Sequence, residues 1–159
     1  MPRAVISTDQ VEQAALRYLA QRDRTSAQVA RYLDRKGASR AQVRSVLRRL
    51  AKAGYVNDRA FALRWAEARL ARRPMGREAL KAGLIRQGLA ESLVAETIEH
   101  LYGRDREREL AMQAIQRVSR RTAVSPNRAA RLLRQRGFDQ ETIDDVVSSE
   151  NPNEEPRRR

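Results

Sequence analysis

Leu33-Asp34-Arg35-Lys36-Gly37 returns as Leu84-Ile85-Arg86-Gln87-Gly88 and again as Leu133-Arg134-Gln135-Arg136-Gly137, at intervals of 51 and 49 residues. Each copy ends in the residue that stops a helix, because glycine just past the C-cap takes the left-handed conformation without a Cβ penalty. The sixth residue after the three glycines is Val43, Val94 or Ile143, and the tenth is Leu47, Ile98 or Val147. Positions four apart lie on one helix face, so the same apolar face recurs in register behind the same stop. A single Leu-x-x-x-Gly match is a common coincidence of helix ends. Three matches with equivalent apolar positions downstream define a repeat of about fifty residues, each copy a three-helix module, stacked in a row.

The rest of the chain is punctuated accordingly. Proline occurs only at 2, 74, 126, 152 and 156, and glycine only at 37, 54, 76, 83, 88, 103 and 137. The segments between are rich in good helix formers, and none alternates apolar and polar residues with the period of a strand. An all-α fold follows. Asp9 is expected to cap a first helix running to about Arg22, with Leu16 and Leu19 inward. Thr25 or Ser26 opens a second, carrying Val29, Tyr32 and Leu33. Ser39 and Gln42 have capping-box spacing and open a third, with Val43, Val46, Leu47 and Leu50, closed by Gly54. Asn57 or Asp58 caps a fourth, with Phe61, Ala62, Trp65 and Leu70 inward, ending before Pro74. A fifth lies between Gly76 and Gly88, and a sixth between Ala90 and Gly103 with Leu93, Val94, Ile98 and Leu101. The seventh runs from about Arg104 to Arg120, Ser125-Pro126 opens the eighth, and Asp139 caps the ninth with Ile143, Val146 and Val147. The expected array is elongated and curved, with about nine helices. Residues 1–8 form a flexible N-terminus, 9–56, 57–103 and 104–148 three modules, and 149–159 a disordered tail with nothing apolar to bury.

Composition narrows the function. The 159 residues hold 33 Lys+Arg against 20 Asp+Glu, a formal net charge of +13, and only Lys36, Lys52 and Lys81 among the cations are lysine. Such arginine-rich basicity favours a polyanion or an acidic protein surface, since guanidinium pairs bidentately with phosphate and carboxylate. With 41% hydrophobic residues the chain still folds. The absence of cysteine excludes disulfides, thiolate zinc sites and cysteine nucleophiles. No signal-peptide core is present and no apolar run exceeds four residues, so a cytoplasmic protein without membrane association is expected.

Charge is uneven along the chain. Residues 1–56 carry +8, 57–103 carry +2 and 104–159 carry +3. Arg40, Arg44, Arg48 and Lys52 recur every fourth residue on the third helix, a cationic stripe that like-charge repulsion makes mildly destabilising. An anionic partner would neutralise it; a solvated face opposite Val43, Val46, Leu47 and Leu50 is the plainer reading, and both stay open. A second cluster, Arg69, Arg72, Arg73, Arg77 and Lys81, surrounds Pro74-Met75-Gly76, where a partner is expected to reach it. Arg128, Arg131 and Arg134 follow at three-residue spacing in the third module. Helix, glycine turn and helix invite a helix-turn-helix reading, with Arg40, Gln42, Arg44 and Ser45 facing bases. The equivalent helices carry Glu91, Glu96 and Glu99, and Asp139, Glu141, Asp144 and Asp145; these repel phosphate and rule out tandem DNA reading by all three modules.

Nothing points to catalysis. The single histidine, His100, reads as an ordinary helix residue, and Asp144 and Asp145 splay about 100° apart on a helix instead of converging. There is no phosphate loop, nucleophile elbow or metal-ligand spacing, so no catalytic, metal or cofactor site is expected. Seven aromatic residues, four of them tyrosine, supply no stacking platform for single strands.

Ala15-Leu16-Arg17-Tyr18-Leu19-Ala20-Gln21-Arg22-Asp23-Arg24-Thr25-Ser26, the Leu33-to-Gly37 stop, Leu50-Ala51-Lys52-Ala53-Gly54-Tyr55-Val56-Asn57-Asp58-Arg59-Ala60-Phe61-Ala62, then Gly76 and Gly88-Leu89 closely resemble the RecX family. The likeness covers roughly residues 9–147 and is most specific from Leu50 to Gly88, with Asn57, Asp58, Phe61, Ala62, Gly76 and Gly88 as motif residues. Members are bacterial regulators of the RecA recombinase, built of three tandem three-helix repeats. The resemblance implies a non-enzymatic protein that binds RecA and lodges in the groove of the RecA–DNA filament. It also implies inhibition of ATP hydrolysis, strand exchange and filament extension, and so a role in recombination and DNA repair. Arg40, Arg44, Arg48 and Lys52 are the expected anchor, with Arg69, Arg72, Arg73 and Lys81 a second contact. Asn57-Asp58 stands where the family often has Asp-Asp, and Gln28-Val29 where Glu-Leu is common. Gly83 replaces an expected Glu, at a helix-propensity cost of ~1 kcal/mol unless it admits close packing or local bending. The rival expectation is a basic DNA-binding protein that contacts phosphates without RecA; direct DNA binding beside RecA would be weak. A monomer is expected, since no dimer seam is evident.

Overall fold

The computed structural model describes residues 6–103 and 105–150. Residues 1–5 of the expected flexible N-terminus, Arg104 at the expected start of the seventh helix, and residues 151–159 of the expected tail lie outside it. The described residues form nine α-helices and no strand: α1 (Thr8–Leu19), α2 (Ser26–Arg35), α3 (Arg40–Lys52), α4 (Asp58–Arg72), α5 (Arg77–Arg86), α6 (Glu91–Leu101), α7 (Arg106–Ser119), α8 (Pro126–Gln135) and α9 (Gln140–Glu150).

Local chemistry sets where the helices begin. Ser7, Thr25 and Ser39 each close a reciprocal capping box with the glutamine three residues on, Gln10, Gln28 and Gln42. Ser7, not Asp9, therefore opens α1, because its box satisfies two orphan groups at once. Ile6 then occupies the hydrophobic-staple position and packs on the core cluster that includes Val11. Asn57 Oδ1 accepts from the Ala60 N–H at 3.0 Å, and Asp139 Oδ1 from the Thr142 N–H at 2.7 Å. Ser125 caps α8 with Pro126 in its first turn.

The repeated stop has the geometry its spacing demands. Gly37, Gly88 and Gly137 sit at φ of +89°, +84° and +77°. Behind Gly37 and Gly137, the Ala38 and Phe138 N–H groups donate back to the Leu33 and Leu133 carbonyls at 3.1 and 3.2 Å, which is the Schellman pattern. Leu33, Leu84 and Leu133 are fully buried. Each copy is thus a buried anchor followed by a left-handed stop. Downstream, Val43, Val94 and Ile143 are all buried; of the next row Ile98 is buried, while Leu47 and Val147 are half-buried.

Helices α1, α2 and α3 pack mutually, as do α7, α8 and α9. The first group closes on Val11, Ala15, Val29, Leu33, Val43, Val46, Leu50 and Val56. Leu16 and Leu19, expected inward on α1, are only half-buried; the face of Val11 and small Ala15 points inward instead. Two compact units result. One holds the described residues up to Arg64 together with Leu84–Val94, the other Trp65–Gly83 with the described residues from Ala95 on, so the boundaries fall inside α4, α5 and α6.

In the first unit, Thr25 Oγ1 donates to the Gln87 carbonyl at 2.8 Å and Asp58 Oδ1 accepts from the Ser26 N–H at 2.8 Å. The rings of Tyr18 and Tyr32 stack at 4.1 Å, with Arg24 over Tyr18 and Lys36 over Tyr32. Their faces are therefore taken. In the second unit, a Cβ on Gly83 would lie 2.6 Å from the Trp65 ring, so the glycine is there for close packing.

Candidate functional site

Helix α3 cannot turn about its axis, because Val43, Val46 and Leu50 are buried. That pins Arg40, Arg44, Arg48 and Lys52 to solvent, and all four are exposed. Among the described residues no carboxylate pairs with any of them, whereas Arg49, one position off the stripe, pairs with Glu12 at 2.9 Å. The helix-turn-helix reading loses two of its four residues. Gln42 accepts from the Ser39 N–H at 2.9 Å and donates to the Ile6 carbonyl at 2.7 Å, and Ser45 is half-buried. Gln42 is occupied in closing the helix start and is not free to read a base edge.

The second cluster differs from its expectation. Pro74, Met75 and Gly76 are buried, not accessible. The carbonyls there are covered by side chains far along the chain: Arg117 donates to those of Ala71 and Arg72 at 3.2 and 2.9 Å, Arg136 to that of Pro74 at 3.4 Å, and the Tyr102 hydroxyl to that of Met75 at 2.8 Å. These capping residues carried no sequence signal, because the groups they satisfy are distant backbone carbonyls. Gly76 donates its N–H to the Arg136 carbonyl at 2.9 Å, and a Cβ on it would lie 2.1 Å from the Gly137 carbonyl oxygen.

Arg77 leaves the candidate surface. Its Nε meets Glu107 at 2.7 Å, its Nη1 lies 3.6 Å from Glu99, and its guanidinium lies over the Tyr102 ring at 5.6 Å. The hydrogen bond it donates to buried Glu107 raises its pKa above the usual guanidinium range. Burial, reinforced by Glu107, pushes the Tyr102 phenol well above its ordinary value. Burial also pulls Arg136 below the usual guanidinium range, with Arg73 and Arg117 adding repulsion. Arg69, Arg72, Arg73 and Lys81 remain exposed, Arg69 lying over the Trp65 ring at 5.7 Å.

Of the motif residues, Phe61, Ala62 and Gly76 are buried, Asp58 is half-buried, and Asn57 and Gly88 are exposed. Asn57 caps α4, Asp58 holds the start of α2, Phe61 and Ala62 are buried, Gly76 permits a backbone contact, and a Cβ on Gly88 would come within 2.8 Å of the Ala27 Cβ. Each of them makes a contact within the fold. His100 is exposed; Asp144 accepts from Gln140 at 2.7 Å and Asp145 pairs with Arg108 at 2.6 Å. Among the described residues no three His, Asp or Glu side chains gather to hold a metal, and no helix is long and apolar enough to cross a membrane.

Tandem three-helix units with solvated cationic faces define an all-α repeat protein. Two family models match the chain, "RecX, first three-helix domain" over residues 13–50 and "RecX, second three-helix domain" over residues 57–98. The chain belongs to the RecX family of regulatory proteins. Regulatory protein RecX of Mycobacterium leprae is 36% identical over 163 residues, which span 96% of this chain and 94% of that protein. The namesake from a Geobacillus species is 29% identical over 159 residues, and the chain spans only 58% of that relative's length. The crystal structure of RecX from Lactobacillus salivarius superposes with a TM-score of 0.75 at 20% identity, covering 89% of this chain and 95% of that one, so the fold is shared.

Proposed function

We propose that this chain is a non-enzymatic regulator of the RecA recombinase. It lodges in the groove of the RecA–DNA filament and inhibits ATP hydrolysis, strand exchange and filament extension. The observation that carries this reading is the α3 stripe, four exposed cations at four-residue spacing with no carboxylate paired to them among the described residues. A free protein gains nothing from such a stripe, since neighbouring like charges repel; a filament presenting carboxylates and DNA phosphates repays it. Arg69, Arg72, Arg73 and Lys81 form the second contact. Preferential binding to one filament geometry shifts the filament's assembly and turnover by its differential affinity.

The test is RecA ATPase on single-stranded DNA, with this protein added below the RecA concentration. Strong inhibition well below one-to-one is expected, and the combined Arg40→Glu, Arg44→Glu, Arg48→Glu and Lys52→Glu variant abolishes it with helicity unchanged. Undiminished inhibition by that variant overturns the assignment of the anchor. Duplex binding that falls steeply with salt, without any effect on RecA, would leave the phosphate-binding reading in its place.

A further inference from the structure

From Leu110 to Phe138 the chain carries seven arginines and no carboxylate. Three of the seven are engaged within the fold: Arg117 and Arg136 on backbone carbonyls, and Arg134 on Gln140 at 3.3 Å. The other four, Arg120, Arg121, Arg128 and Arg131, are exposed, and among the described residues no carboxylate pairs with them. Arg128 and Arg131 stand on α8 along an open groove of about 490 Å3, whose apolar lining comes from Val118 of α7, Val124 of the connection and Leu132 of α8. Those three are half-buried, so apolar surface faces the groove beneath a guanidinium rim.

Both parts of the groove restrict its occupant. The apolar floor gains from covering an aliphatic side chain, and the arginines from bidentate pairing with carboxylates on either side of it. Nucleic acid fits less well. No aromatic ring lines the groove, so bases find nothing to stack on; Ser125, Asn127, Gln135 and the two arginines offer partners to a phosphate, but Val118, Val124 and Leu132 would then stay uncovered. We propose that the groove between the end of α7 and α8 is a docking site for an acidic, leucine-bearing segment of a partner protein. The site lies apart in sequence from the α3 stripe and does not depend on the recombinase reading.

Fluorescence anisotropy on the full chain tests this with a labelled peptide of repeated Asp-Glu-Leu, the same peptide with Ser in place of Leu, and a labelled oligothymidylate. The Leu peptide binds in the micromolar range, and the Ser peptide at least about fivefold more weakly. Arg128→Glu with Arg131→Glu, both at exposed positions, weakens the Leu peptide about tenfold or more. Val124→Asp weakens it comparably with the helical circular dichroism retained. Equal binding of the two peptides, indifference to the arginine reversals, or oligothymidylate that outcompetes the peptide through Arg128 and Arg131 overturns the proposal. None of these variants alters α3, so failure here leaves the RecA reading standing, and failure there leaves this one.

Discussion

The Glu107 carboxylate receives both the backbone N–H of Arg77, at 3.0 Å, and its guanidinium Nε, at 2.7 Å. Arg77 is the first residue of α5, so one buried carboxylate closes a helix N-terminus and neutralises the side chain beside it. The pairing turns an arginine that reads as free surface into a half-buried side chain engaged within the fold.

Removing that carboxylate leaves an orphan N–H and a guanidinium whose carboxylate contact is then only the longer 3.6 Å one to Glu99. Glu107→Ala is expected to lower stability by about 2–3 kcal/mol, while Glu107→Gln keeps an acceptor and loses about 1 kcal/mol. Urea unfolding followed at 222 nm distinguishes them; equal losses would mean that the charge carries the whole effect and the retained acceptor none of it.

Tyr102 makes the fold sensitive to alkali. Its phenol ionises near 10 when unfolded and well above that in the fold, so the unfolded chain releases the proton first. The stabilising effect of burying the neutral phenol is present below pH 10 and is lost as pH rises beyond it. Urea midpoints measured from pH 8 to above pH 10 should fall at the alkaline end. Tyr102→Phe starts about 1 kcal/mol lower for want of its hydrogen bond to Met75, and then declines less.

Gly83 runs against helix propensity. On propensity alone Gly83→Ala would gain up to ~1 kcal/mol, yet its Cβ would meet the Trp65 ring at 2.6 Å. A net loss of about 1–2 kcal/mol is expected, with a shift in emission of the single tryptophan. Increased stability with unchanged fluorescence would show that the ring yields freely.

The α3 stripe should trade stability against binding. Arg44→Gln relieves repulsion with both Arg40 and Arg48, worth up to about 0.5 kcal/mol for each pair at low salt. The free protein is therefore expected to melt slightly higher while RecA inhibition weakens. A variant that loses stability and inhibition together would point to a structural role for Arg44.

The helix starts and stops were readable because their chemistry is local. A capping box spans four residues and a Schellman stop six; Ser39 with Gln42 and the segments ending in Gly37 and Gly137 behave accordingly, Ser125 caps α8 before Pro126, and Gly88 shares the left-handed φ. At α1 two polar residues competed, and Ser7 prevailed over Asp9 through the reciprocal bond from Gln10. The inward face of α1 was harder: Leu16 and Leu19 are the larger apolar residues, but Ala15 lets the helix approach closely.

What the amino-acid order determined by itself was the all-α class, the repeated stop, the basic composition and the four-residue spacing of the cations on α3, because each depends on composition or on residues within a turn or two of one another. Tertiary structure alone decided which other arginines stay available. Arg77 answers to Glu107 thirty residues away, Arg117 to carbonyls 45 and 46 residues away, and Arg136 to Pro74 at a separation of 62. A guanidinium has the same composition whether it faces water or covers a buried carbonyl. Only chain folding brings it to one or the other.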